Sequence, residues 1–193
     1  MMGQPNGADL MDAAMRPAPV TIRDSRPADI PAITALYARY VTASLATFDE
    51  MPPSPDEMTQ RREDLLGANL PFIVAVDAGG TLVGYAYAAK FRLRSAYRFT
   101  LEDSIYVDPS AIRRGIGSAL LGALIERCTA LGHRQLVAVI GDTANAGSIG
   151  LHAKMGFVRV GVMPAVGFKL GRWVDAVLMQ HSLGSGASTA PID

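Results

Sequence analysis

The residues of this chain best suited to chemistry stand between Thr100 and Ser118. Arg113-Arg114-Gly115-Ile116-Gly117-Ser118 joins a strand-like run to an apolar helical run, with two glycines at the junction. Glycine at a helix start lets bare backbone N–H groups approach an anion, and the helix dipole favours negative charge there. Such a loop can cradle a pyrophosphate. Just upstream, Glu102 and Ser104 share one side of the strand by two-residue alternation, opposite Leu101, Asp103 and Ile105. A carboxylate thus lies on the strand that feeds an anion cradle.

The loop is selective about its ligand. No Gly-Lys-Ser/Thr closes it, so it is not a triphosphate P-loop, and it lacks the third glycine of a dinucleotide fingerprint. It resembles instead motif A of the GNAT acyl-CoA N-acyltransferases, Gln/Arg-x-x-Gly-x-Gly/Ala, with Ile112 standing where the family prefers Gln or Arg. Downstream, Asn145-Ala-Gly-Ser148-Ile-Gly-Leu-His152-Ala-Lys-Met-Gly156-Phe157 resembles motif B of the same family. Two motifs in order at this separation make the resemblance specific, and it covers roughly residues 20–183.

The elements that must position these residues follow from periodicity. Val20 to Arg23 reads as a strand, and Ile30, Ile33, Leu36, Tyr37, Tyr40 and Val41 line one helical face after Pro27-Ala-Asp29. Ser54-Pro55-Asp56-Glu57 starts a second helix. Phe72–Val76 and Thr81–Ala89 form a hairpin across Asp77-Ala-Gly-Gly, and the Thr100 strand follows. Leu120, Leu121, Leu124, Ile125, Cys128 and Leu131 recur at helical spacing, and the apolar run Gln135–Ile140 reads as a buried strand. A short helix after Asn145 and strands at Val158–Val162 and Val174–Gln180 complete the order β-α-α-β-β-β-α-β-α-β-β. This predicts one α/β (α+β) domain over residues 19–184, between polar tails at 1–18 and 185–193. The resemblance implies the GNAT fold: a mixed, mostly antiparallel central sheet with one splayed strand, flanked by helices.

Composition narrows the function classes. The 193 residues are 49% hydrophobic and carry 18 basic against 18 acidic side chains, so no net field attracts nucleic acid or an anionic membrane. Cys128 is the one cysteine and falls on an apolar helix face, as a buried thiol; the three histidines show no metal-ligand spacing, and no metal is expected. The N-terminal stretch lacks the basic start and apolar core of a signal peptide, and no apolar run reaches bilayer length, so a cytoplasmic protein is expected.

What the resemblance implies for the site is acetyl-CoA as co-substrate and an amine as acceptor. An amine is mostly protonated at neutral pH, so a base must take a proton before or during attack. Glu102 is the candidate base, directly or through water. Ile105, Tyr106 and Val107 are expected along the pantetheine arm, with Arg113, Arg114, Gly115, Ile116, Gly117 and Ser118 around the pyrophosphate. Asn145 and Ser148 are expected to touch the cofactor as well, Asn145 also as a helix N-cap. His152 stands where many family members have the tyrosine credited with protonating the CoA thiolate, a task open to an imidazole. A solvent-facing or carbonyl-capping histidine is the competing reading.

Two further stretches resemble the phosphinothricin and methionine-sulfoximine N-acetyltransferases: Phe91 to Tyr97, and the pattern Gly167-Phe168-Lys169-x-Gly171-x-Trp173-x-Asp175. The resemblance implies a small amino-acid analogue as acceptor. Arg92 and Arg94, read as alternating beside the Glu102 strand, suit its α-carboxylate, with Leu93, Asp103, Ser104 and Phe48 as further acceptor residues. Trp173 is expected to pack on the sheet. A homodimer is expected, with the strand at Val174–Gln180 as an exposed pairing edge. Acetylation of a protein N-terminus or lysine, and a non-catalytic acyl-CoA sensor, stand as the alternatives.

Overall fold

A computed structural model describes residues 20–191. A seven-stranded sheet runs β1 (Thr21–Asp24), β2 (Phe72–Val76), β3 (Leu82–Lys90), β4 (Thr100–Val107), β5 (Gln135–Gly141), β7 (Arg172–Ser182) and β6 (Val158–Lys169), in that spatial order. Every neighbouring pair is antiparallel except β4 with β5. Four helices cover it: α1 (Ile30–Ala43), α2 (Pro55–Gly67), α3 (Ile116–Ala130) and α4 (Ala146–Lys154). The order read from periodicity is the order observed, and the class is a mixed α/β sheet.

Local chemistry explains the helix ends. Ser54 caps α2 by accepting the Glu57 N–H, while the Glu57 carboxylate accepts the Ser54 N–H, a reciprocal box with Pro55 at the first helical position. Asn145 caps α4 by accepting the Ser148 N–H at 3.1 Å. Packing then separates two cores. On one face, α1 and Met58 of α2 bury Ile33, Tyr37, Phe72, Tyr85 and Tyr106; on the other, α3 buries Leu120, Leu121 and Leu124 against Leu101 and Leu136. Cys128 belongs to the second core, where burial, aided by the Asp103 charge, pushes its thiol up to about 12, so it is inert at neutral pH.

The relation of β4 to β5 creates the site. They pair only over Thr100–Asp103 with Gln135–Ala138, after which β4 runs on to Val107 and β5 to Gly141 without pairing. The sheet forks there. This is the splayed strand that the family resemblance implies.

Three expectations change. First, β6 and β7 are longer than the segments read from sequence. Pro164 lies within β6, which absorbs it in a register shift between Met163 and Gly167, with Ala165 at φ 49, as an edge strand tolerates. Leu170 and Gly171, at φ 50 and 75, then make the tight turn that closes the hairpin. Second, β7 lies between β5 and β6 with both sides paired, so the exposed edge is β6, not Val174–Gln180. Third, β3 ends at Lys90, and residues 91–99 form a loop with a 3-10 turn at Ser95–Tyr97. Strand alternation therefore does not govern Arg92 and Arg94.

Residues 1–18, expected as a tail, lie outside the described residues. At the other end, residues 184–189 follow β7 in turns, and Arg134 bonds to Ser185, to Thr189 and to the Ala190 carbonyl.

Candidate active site

A cleft of about 1320 Å³ opens at the fork. Its floor is β4 from Glu102 to Val107 and the end of β5; α3 and α4 begin on one side, and the loop after α1 walls the other. At the α3 end, Arg113 at φ 64 and Gly115 at φ 78 curl the backbone into the helix, and Gly115 is the N-cap. The first four N–H groups of a helix have no partner within it and carry the positive end of the dipole. Gly115, Ile116, Gly117, Ser118 and Arg113 line the cleft, whereas Arg114 is not among the lining residues. Gly117 has a second role: a Cβ there would lie 3.0 Å from Leu151, so its bareness also lets α3 approach α4.

Beyond the fork, alternation turns the N–H and C=O of Ile105 and Val107 away from β3 and toward the gap. Tyr40, read from sequence as core, reaches this edge. Its hydroxyl donates to the Val107 carbonyl at 2.6 Å, and the Val107 N–H lies 3.4 Å from it. Tyr106 points to the opposite core, edge-on to Tyr37 and Tyr40.

Glu102, Ser104 and Tyr106 face the α1–α2 side, while Asp103 faces α4. Burial raises the Glu102 pKa above the ordinary carboxylate value, the Asp103 charge adds to this, and Arg92 partly offsets it. A carboxylate with its pKa raised in this way is more basic than a solvated one. Asp103, expected among the acceptor residues, instead gives Oδ2 to His152 Nε2 at 3.0 Å, and its buried Oδ1 has no hydrogen-bond partner among the described residues.

His152 is only 3% exposed. Its Nδ1 donates to the Ser148 carbonyl at 2.8 Å, with the Ser148 hydroxyl at 3.4 Å, and its ring meets Phe157 edge-on. Burial works against the charged imidazole, but the Asp103 hydrogen bond and charge, with the Ser148 carbonyl, outweigh it and raise its pKa. Both ring nitrogens thus have protein partners. Neither solvent exposure nor a nitrogen free for a thiolate describes this histidine. Asn145 links the same wall to β5, donating to the Gly141 carbonyl at 3.4 Å while capping α4.

The opposite wall is residues 44–49. The Tyr37 hydroxyl donates to Asp49 at 2.6 Å and lies 2.8 Å from the Thr47 hydroxyl. Lys169 of β6, only 3% exposed, donates to the Thr47 carbonyl at 2.7 Å. A Cβ on Gly167 would overlap the Phe48 ring. Gly167 and Lys169, two apart on β6, therefore clasp the loop from outside and set Phe48 at the cleft. That is the physical content of the Gly-Phe-Lys pattern. Trp173, expected against the sheet, is 65% exposed and stands edge-on to its cross-strand neighbour Phe168.

Of the expected acceptor residues, Asp103, Ser104 and Phe48 line the cleft, and Arg92, Leu93 and Arg94 do not. All three belong to the exposed loop after β3, Leu93 at 95% exposure, although Arg92 acts electrostatically on Glu102. Tyr37, Tyr40, Arg61 and Tyr87 also line the cleft and were not read as site residues. The tyrosines carry only a core-like helical and strand spacing, and Arg61 lies on an otherwise solvated helix; nothing local distinguishes them.

Relatives share this architecture. The model of the Acetyltransferase (GNAT) family matches residues 35–157. The chain is 53% identical to phosphinothricin N-acetyltransferase of Alcaligenes faecalis, over 89% of this chain and 86% of that one. It is 40% identical to the L-methionine sulfoximine/L-methionine sulfone acetyltransferase of Pseudomonas aeruginosa, over 84% and 94%. The crystal structure of a GNAT superfamily phosphinothricin acetyltransferase from Sinorhizobium meliloti in complex with AcCoA superposes at a TM-score of 0.87 with 49% identity, over 90% and 94% of the two chains. With a forked sheet, a glycine-led helix N-terminus beside the fork and named N-acetyltransferases aligned over most of its length, the chain belongs to the GNAT acetyltransferase family and is an N-acetyltransferase.

Proposed function

We propose that this enzyme acetylates the α-amino group of a small amino-acid analogue, of the phosphinothricin or methionine sulfoximine and sulfone type, using acetyl-CoA. The observation that carries the reading is the fork: it joins an anion cradle at the start of α3 to a desolvated carboxylate, Glu102, in one cleft. The residues fit the co-substrate. The free amides at Gly115–Ser118 suit a pyrophosphate, and the unpaired β4 edge at Ile105 suits the amides of a pantetheine arm. The relatives' names support the acceptor class.

In the proposed direct transfer, the amine nitrogen bonds to the acetyl carbonyl carbon and the carbon–sulfur bond breaks. Glu102 takes the proton that the nitrogen sheds, directly or through one water. The thiolate takes its proton from water in the open cleft. His152 and Asp103 act by position: their bond ties α4 to β4 at the fork, and with Ser148 and Asn145 they hold the wall beside the arm. Arg92, near Glu102, is assigned to the acceptor α-carboxylate, and Phe48 and Ser104 line the acceptor side. Arg94 and Leu93 belong to the same loop.

We further infer a homodimer through the β6 edge, where Val158, Val160, Phe168 and Trp173 are exposed on and beside a strand paired on one side only among the described residues. Sedimentation at micromolar concentration tests it, and a monomer there refutes it.

Acetyl-dependent release of CoA thiol, screened over phosphinothricin, methionine sulfone, methionine sulfoximine, ordinary amino acids, polyamines and peptides, tests the reaction. Turnover is expected with the amino-acid analogues. Turnover confined to peptides or polyamines overturns the acceptor class, and thiol release with none of the amines overturns the reaction.

A further inference from the structure

Arg61 reaches the cleft from α2. Its guanidinium lies 5.4 Å over the Tyr37 ring and in electrostatic range of Tyr87. The contact to Asp49 is long, 3.5 Å, outside the 2.7–2.9 Å of a strong charge-assisted bond. Asp49 Oδ2 already accepts the Tyr37 hydroxyl at 2.6 Å. A guanidinium carries five N–H donors in a planar fork and stays charged, so the long Asp49 contact and the interaction with Tyr37 leave donors of that fork for a ligand.

Its place along β4 matters as much as its charge. Tyr87 pairs with Ser104, and Ala89 with Glu102, so Tyr87, Ser104 and Glu102 share one sheet face. Arg61, beside Tyr87, therefore stands toward the Ser104 side of Glu102. Arg92 follows the end of β3, toward the Thr100 end of β4, and also acts on Glu102. Arg92 thus acts on the candidate base from one end of the strand, while Arg61 lines the same cleft toward the other. Phe48 and Tyr37 supply aromatic surface beside the first of them.

We infer that Arg61 binds the oxygen atoms at the side-chain end of the acceptor, a phosphinate or sulfonyl group, while the α-amine and α-carboxylate stay at Glu102 and Arg92. This rests on the acceptor class proposed above. An α-carboxylate is one carbon from the amine and remains beside the base, whereas the distal oxygens lie several bonds away and need a second donor. Arg61 is on the side where a chain leaving Glu102 would run.

The test compares kcat/KM for phosphinothricin, methionine sulfone and norleucine, whose side chain ends without oxygen. Wild type should prefer the two oxygen-bearing acceptors. Arg61→Met should lower kcat/KM for these at least about tenfold, mainly through KM, and leave norleucine within about twofold. Asp49→Asn should keep the preference, because it removes the ion pair and leaves the guanidinium. Equal losses on all three acceptors, or loss of the preference in Asp49→Asn, would show that Arg61 acts by holding the loop and would overturn the inference. If Arg61→Met does not fold, Arg61→Lys must shift the ratio in the same direction, and an unmoved ratio overturns it. Wild type that turns over none of the three overturns the acceptor class and this inference together; wild-type turnover with a ratio unmoved by Arg61→Met overturns the inference alone.

Discussion

Lys169 donates to the Thr47 carbonyl at 2.7 Å, joining the β6–β7 hairpin to the cleft wall at residues 44–49 across 122 residues of chain. Burial lowers the ammonium pKa, against the charges of Asp49 and Glu50, so the fold retains a partly desolvated cation for one backbone oxygen. The neighbouring Gly167 leaves room for the Phe48 ring that the same loop carries.

Lys169→Met keeps the stem and removes the donor. A hydrogen bond from a charged group contributes about 1.5–3 kcal/mol, so a thermal midpoint a few degrees lower is expected. The acceptor KM should rise several-fold while the acetyl-CoA KM stays within about twofold. Gly167→Ala should do the same through Phe48. Loss of acetyl-CoA affinity in equal measure would mean that the hairpin supports the whole cleft and not its acceptor wall.

Glu102→Gln keeps shape and removes the base. Turnover should fall by about 10²–10⁴ at neutral pH with little change in acetyl-CoA affinity. Wild-type kcat/KM should rise with pH through an acid limb above the ordinary carboxylate value, because burial and the Asp103 charge raise the Glu102 pKa. The variant should lack that limb. A rate near wild type across the profile would assign proton removal to solvent.

The two loop glycines should separate. Gly115 at φ 78 accepts no Cβ without strain, and Gly115→Val distorts the cradle. Acetyl-CoA affinity by calorimetry should drop sharply. Gly117→Val presses on Leu151, so a cost in thermal stability should accompany its loss of affinity. Unchanged affinity in folded Gly115→Val would move the pyrophosphate away from this loop.

The Asp103–His152 pair makes stability depend on pH. His152 has a folded pKa above its ordinary value of 6.5, so the proton is held more tightly in the folded state. Its contribution is fully present below about 6.5 and is lost as pH rises through the raised pKa. Denaturant midpoints should therefore decline on the alkaline side of 6.5. His152→Gln should be less stable at pH 6 and show a flatter profile above it. A slope unchanged by that substitution would mean the decline comes from other groups.

The sequence alone determined what is local. Glycines at the start of α3, the Ser54–Glu57 box, the Asn145 cap and the alternation along β4 all depend on a few neighbouring residues, and each is found where the spacing puts it. Periodicity was enough for the order of elements along the chain, and the two motifs at their proper separation for the family. Tertiary structure decided which faces meet. The fork exists because β4 and β5 share four residue pairs and no more, a relation between strands that neither run carries. His152 is buried because Asp103, 49 residues away, turns toward it, and Trp173 is exposed on the strand that pairs with the edge strand β6. Arg92 and Arg94 left the strand pattern because β3 ends at Lys90, while Arg61 entered the cleft because α2 packs beside Tyr37. A side chain's periodicity tells which way it points from its own element; what it meets there is set by chain segments far away in sequence.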